Sequence, residues 1–216
     1  MNKKTAAYVE VIFNMSYLVT AAIMGIVLLQ SKGPAGVLPG AAALTLAGGD
    51  FFHLAPRIAA ATSKDSGNER FHRALGLGKM ITSVTMTVFY LILWHLGLKL
   101  GFGVSQGWTA LAYALALLRI ALCLFPQNGW ISKSQPQSWA IRRNIPFALL
   151  GLLTAVLFAV YGGAFPGLRH MWLAIFLSFA FYAPVILWAR KNPKLGMLML
   201  PKTIAYIWML SMLFSL

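Results

Sequence analysis

The chain has 216 residues, of which 59% are hydrophobic and only 10% charged, and its mean hydropathy is +0.74. A soluble domain carries about 25% charged residues and a disordered chain lacks this much apolar content, so both are excluded. Lys and Arg number 18 against 4 Asp and Glu, a net charge of +14, but there is no soluble domain to present a basic face to nucleic acid; a multi-span membrane protein is left.

About 20 apolar residues cross the roughly 30 Å hydrocarbon core as a helix. Seven such runs follow one another at 6–29, 37–61, 71–96, 108–125, 145–164, 171–189 and 195–216. They fill the chain, so residues 1–216 are expected to form one all-α domain, a bundle of seven transmembrane helices. The first run has Lys3 and Lys4 before it, as a signal peptide would, but it is longer than a signal core and holds Glu10 and Asn14. It is therefore expected to stay as a span.

Cations outside the spans set the orientation. Eleven lie at the N-terminus and in the second, fourth and sixth loops: Lys3, Lys4, Lys64, Arg70, Arg73, Lys133, Arg142, Arg143, Arg190, Lys191 and Lys194. Only Lys32, Lys99 and Arg169 lie on the other side. The positive-inside rule places the N-terminus in the cytoplasm and the C-terminus outside, in a cell membrane, with a bacterial inner membrane the best fit.

Small residues mark close helix approach in lipid: Gly48 and Gly49 on the second span, Gly76 and Gly78 at the start of the third, Ala112 and Ala116 on the fourth. Pro184 and Pro201 are expected to interrupt the sixth and seventh spans. Asn144 before Pro146 reads as a helix start. The long loop 126–144, with Trp130, Trp139, Arg142 and Arg143, reads as an interfacial segment or as a lid over a cytoplasm-facing cavity. Cys123 is the one cysteine, which excludes an internal disulfide and a thiolate zinc site.

A charge inside a span is costly and turns inward or finds a partner. Arg57, Lys79, Arg119 and Lys202 are such cations, and Glu10 and Asp50 are the acids. Most fall in the cytoplasmic half. At 100° per residue Asp50, His53 and Arg57 share a stripe. So do Glu10, Asn14 and Tyr17 on the first span, His72, Lys79, Ser83 and Tyr90 on the third, and Lys202 and Tyr206 on the seventh. Four polar stripes point to a shared cavity. Four cations over two acids point to an anionic amphiphile as ligand, since Arg suits phosphate and carboxylate. Expected ligand-binding residues are Glu10, Asn14, Arg57, Lys79, Arg119, Lys202 and Tyr206. Asp50 and His53 are the candidate catalytic pair. They could share a metal with Glu10, but the three histidines of zinc-dependent seven-span hydrolases are missing, so no metal or cofactor is expected.

The stretch Gly49-Asp50-Phe51-Phe52-His53-Leu54-Ala55-Pro56-Arg57, followed by Arg73-Ala74-Leu75-Gly76-Leu77-Gly78 and Phe89-Tyr90, resembles two helices of the YhhN-type membrane proteins, the lysoplasmalogenase family. The resemblance implies hydrolysis of a vinyl-ether bond in a membrane lysolipid, with Asp50 as the acid. Two function classes follow. One is an intramembrane lipid hydrolase in which Arg119 and Lys202 hold the head group and Tyr206 or Ser83 orients a water. The other is a lipid or small-anion binder, transporter or sensor built on the same cavity.

Overall fold

The structure, a computed structural model, describes residues 3–62, 69–132 and 135–216, without the side chains of 3–7, 61 and 62. The side chains of Lys3, Lys4, Lys64 and Lys133, counted above toward orientation, lie outside the described residues. The α-helices are α1 (Lys3–Gln30), α2 (Leu38–Thr62), α3 (Glu69–Lys99), α4 (Gln106–Leu124), α5 (Gln137–Tyr161), α6 (Met171–Trp188) and α7 (Met199–Met212), with short 3-10 turns between several of them. No strand occurs among the described residues.

Each helix packs on the next in sequence, α1 also meets α7, and α3 also touches α5. Neighbours run antiparallel. Glu10 near the start of α1 meets Arg57 near the end of α2, and Gln137 opening α5 donates to the last-turn carbonyls of α6, Ile186 at 2.9 Å and Leu187 at 3.0 Å. The result is a closed ring with the starts of the odd-numbered helices at one end. Large apolar side chains point outward from it, among them Ile12, Leu117 and Val160, a surface suited to lipid rather than water.

Among the described residues six segments are long and apolar enough to cross a membrane, built on α1, α3, α4, α5, α6 and α7, the last three together with adjoining 3-10 turns. The exception is α2, where Asp50, His53, Arg57, its glycines and its prolines lower the hydropathy. It is 25 residues long and lies between α1 and α3.

Glycines set the tightest contacts. A Cβ on Gly49 would overlap the side chain of Thr85, whose neighbour Thr82 donates its hydroxyl to the Gly49 carbonyl at 2.8 Å. Pro56 inside α2 has no N–H to offer the carbonyl of Phe52 four residues earlier. That carbonyl lies where a Cβ on Gly78 would stand. Gly48, expected to share this role, has open space beside it. Ala112 and Ala116 are buried on α4.

Two expectations about punctuation are corrected. The fifth helix begins at Gln137, eight residues before the apolar run, so Asn144 and Pro146 lie inside it. Gln137, Arg142 and Arg143 are polar yet helical, because the turn packs against α6 and the preceding loop. Pro201 falls in the first turn of α7, where its missing N–H costs nothing, and so does not interrupt that helix. Pro184 does lie within α6. The shortened connection between α4 and α5 folds inward: Asn128 and Trp130 are buried, and a Cβ on Gly76 would overlap the Trp130 carbonyl.

Candidate functional site

A polar layer crosses the bundle toward the end where α1 begins. At one edge Tyr17 of α1 donates its hydroxyl to Asp50 Oδ2 at 2.7 Å. Opposite, on α7, Lys202 is 9% exposed. Its Nζ stands 4.3 Å from the centre of the Tyr182 ring and 5.1 Å from that of Tyr206. Lys202 and Asp50 attract each other across the interior but lie beyond ion-pair distance. Among the described residues no oxygen accepts a hydrogen bond from Lys202.

From Tyr182 the layer continues by direct bonds. The Tyr182 hydroxyl donates to Asn144 Oδ1 at 3.3 Å, and Arg119 Nη1 donates to the same oxygen at 3.0 Å and to the Arg143 carbonyl at 2.9 Å. Arg119 Nε reaches the Ser83 carbonyl at 3.3 Å. The Arg119 guanidinium lies 3.7 Å from the centre of the Phe147 ring and is 2% exposed. Arg143 continues toward the loop, with Nη1 on Asn128 Oδ1 at 2.8 Å and its guanidinium 4.2 Å from the centre of the Trp130 ring. Asn128 and the Trp130 indole in turn donate to the carbonyls that end α4, including Cys123 at 2.8 Å from the indole. The α4–α5 segment is thus a plug tied to two arginines.

Carbonyl dipoles and ring faces stabilise these arginines; among the described residues no carboxylate pairs with them. Such an arrangement is tenable because guanidinium is weakly hydrated and its planar fork matches several acceptors at once.

The expected site residues separate into two groups. Asp50, Lys202, Tyr206, Arg119 and Asn14 belong to the interior layer or its border: Asn14 is 8% exposed and Tyr206 2%. The ring of Tyr206 packs edge-on to Phe89, and the nearby Tyr90 hydroxyl shares a 3.1 Å bond with Ser178. Glu10 and Arg57 form an ion pair at 2.5 Å, both side chains more than a third exposed. Lys79 is exposed as well. His53 lies between the groups. Its Nδ1 is buried, and among the described residues it has no hydrogen-bond partner. The Ser83 hydroxyl is used within its own helix, on the Lys79 carbonyl at 2.8 Å, and does not face Asp50.

Sequence reasoning left out Tyr182, Asn144, Arg143 and Asn128. The signal for the first was its place four residues after Ser178 on one face of α6. The other three were read as loop because the apolar run begins only at Ile145. No group of three or more His, Cys, Asp and Glu able to hold a metal occurs among the described residues.

Comparison with family models, with curated proteins and with solved structures finds no match for this chain.

Proposed function

We propose that the chain is a multi-pass cell-membrane protein, of a bacterial inner membrane, with its N-terminus in the cytoplasm, that takes an anionic lipid or lysolipid into its polar layer and hydrolyses it. Membrane lipids and an anionic amphiphile are its partners in this reading. The observation that carries it is the Tyr17–Asp50 bond facing Lys202 across the interior. A carboxylate held by a tyrosine, with a cation opposite, is equipped to move a proton and to stabilise a developing negative charge. Asp50 is the general acid or base, and His53, one turn along α2 with an unsatisfied ring nitrogen, is the second proton-carrying group. The likeness of the Asp50 region to the lysoplasmalogenase family points to the same chemistry. Arg119 spends Nε and Nη1 on the walls of the site, which leaves Nη2 to join Lys202 in holding the head group.

A second reading, binding without turnover, is favoured by one observation. Asp50 is the single carboxylate in the interior layer among the described residues, where hydrolysis at a sugar or ether bond commonly uses two acids. One experiment separates them. Purified protein is incubated with lysolipids, vinyl-ether lysolipid included, and products are followed by mass spectrometry. Turnover lost in Asp50→Asn, with lipid still bound, supports the hydrolase. No product from the wild type, with lipid retained, leaves the binder.

A further inference from the structure

The end of α6 carries cations that its own helix does not use. The last four carbonyls of a helix lack ordinary intrahelical donors, and Lys or Arg can serve them. Here other groups do. The Val185 carbonyl accepts from the Ala189 N–H at 3.2 Å, and the Trp188 carbonyl from the N–H groups of Lys191 and Asn192, both at 2.9 Å. Between them, Gln137 at the start of α5 serves the carbonyls of Ile186 and Leu187. Arg190 Nη1 donates to the Gln135 carbonyl at 3.2 Å, and the side chains of Lys191 and Lys194 make no bond among the described residues. All three cations are exposed.

No acid answers them among the described residues. Three of the chain's four Asp and Glu are described: Glu10 pairs with Arg57, Glu69 with Arg73, and Asp50 accepts the Tyr17 hydroxyl in the interior. None of the three lies on α5, on α6 or in the turn that follows it. Arg142, in the second turn of α5, extends the same charge along the rim, with its guanidinium 5.4 Å from the centre of the Trp139 ring.

Apolar side chains stand beside these cations. Trp188 in the last turn of α6 is 51% exposed, and Met197 in the 3-10 turn Pro193–Leu198 is 64% exposed. A soluble acidic partner would meet the cations and leave these side chains in water. The head-group zone of a bilayer takes both at once, because Trp settles at its level and anionic head groups attract basic side chains just outside the hydrocarbon.

We propose that the rim where α5 begins and α6 ends is a docking surface for anionic phospholipid of the surrounding bilayer, with phosphodiester oxygens on Arg190, Lys191 and Lys194 and acyl chains against Trp188. The surface lies outside the interior layer and does not depend on what that layer binds.

The test is native mass spectrometry of the full chain, delipidated in neutral detergent and titrated with phosphatidylglycerol and with phosphatidylcholine of the same acyl chains. Each Lys or Arg near an anionic lipid surface strengthens binding about five-fold, so phosphatidylglycerol is expected to bind at least ten-fold more tightly. The triple variant Arg190→Gln, Lys191→Gln, Lys194→Gln is expected to bring the two lipids within about three-fold of each other. Should it fail to fold, Lys191→Gln with Lys194→Gln decides, since it removes two charges and no described bond; its preference is expected to fall at least three-fold. Lys32→Gln with Arg169→Gln, two exposed cations at the opposite end, is expected to leave the preference unchanged. Equal binding of the two lipids by the wild type overturns the proposal. A preference kept by the folded triple variant overturns the rim and leaves the interior reading intact. A preference lost as much in the opposite-end variant as in the Lys191 and Lys194 pair also overturns it, because net charge alone would then explain the binding. No preference for phosphatidylglycerol, with a polyglutamate peptide bound by the wild type and not by the triple variant, replaces the lipid with an acidic protein.

Discussion

Tyr17 and Asp50 are joined across the α1–α2 interface by a 2.7 Å hydrogen bond, 33 residues apart in the chain. The bond commits one carboxylate oxygen of Asp50 to α1. A hydrogen bond to a charged group contributes about 1.5–3 kcal/mol. Tyr17→Phe is expected to lower unfolding stability in detergent by that amount. A double-mutant cycle with Asp50→Asn then isolates the pair, because neighbours in one bond are non-additive. An additive cycle would show that the two side chains do not cooperate.

Arg119 is expected to be a stability residue first. It donates to three acceptors: the carbonyls of Ser83 and Arg143, and Asn144 Oδ1. Arg119→Leu keeps the contact with Phe147 but loses these bonds, while Asn144 Oδ1 keeps Tyr182 and the Ser83 carbonyl keeps Thr87 as donors. With at least one charge-assisted bond lost at about 1.5–3 kcal/mol, the expected loss is about 2–3 kcal/mol. Arg119→Lys keeps the charge but not the planar fork, and is expected to recover less than half of it. Thermal unfolding in detergent reads both. A Leu variant as stable as wild type would move Arg119 from wall to ligand contact.

The glycines divide by what faces them, not by where they sit in the sequence. Gly76 and Gly78 meet backbone carbonyls of Trp130 and Phe52, which cannot rotate aside. Gly76→Ala and Gly78→Ala are each expected to cost about 1–3 kcal/mol by overpacking. Gly48→Ala has nothing to strike and is expected to be neutral or to stabilise by about 0.5–1 kcal/mol through helix propensity. The same unfolding measurement checks all three, and equal effects would refute the close approach of α2 to α3.

Much of this was legible in the residues. Apolar runs of about 20 give seven helices, and their ends agree to within three residues for the first four and the sixth. The stripes of α2 and α7 placed Asp50, Lys202 and Tyr206 on inward faces because a 3.6-residue period needs no partner to be read. What could not be read is how far polar residues extend a helix inside a bundle. Gln137 to Asn144 look like loop by hydropathy, yet α6 and the plug supply the bonds that keep them helical. Arg143 and Asn144 therefore entered the interior unannounced. The split between the exposed Glu10–Arg57 pair and the buried layer was likewise hidden, since helical period gives direction and not depth of burial.

Orientation remains open to direct measurement, and the buried Cys123 makes it simple. Cys123→Ser would place a hydroxyl among packed groups, so Cys123→Ala is the better cysteine-less background. Exposed positions at opposite ends of the ring then take single cysteines: Ser105 before α4 and Asn192 after α6. With the N-terminus in the cytoplasm, Ser105→Cys is expected to react with a membrane-impermeant maleimide on intact cells. Asn192→Cys is expected to react only once the membrane is opened. The reverse pattern would invert the bundle, and would place the end nearer Lys202 and Asp50 on the outer side.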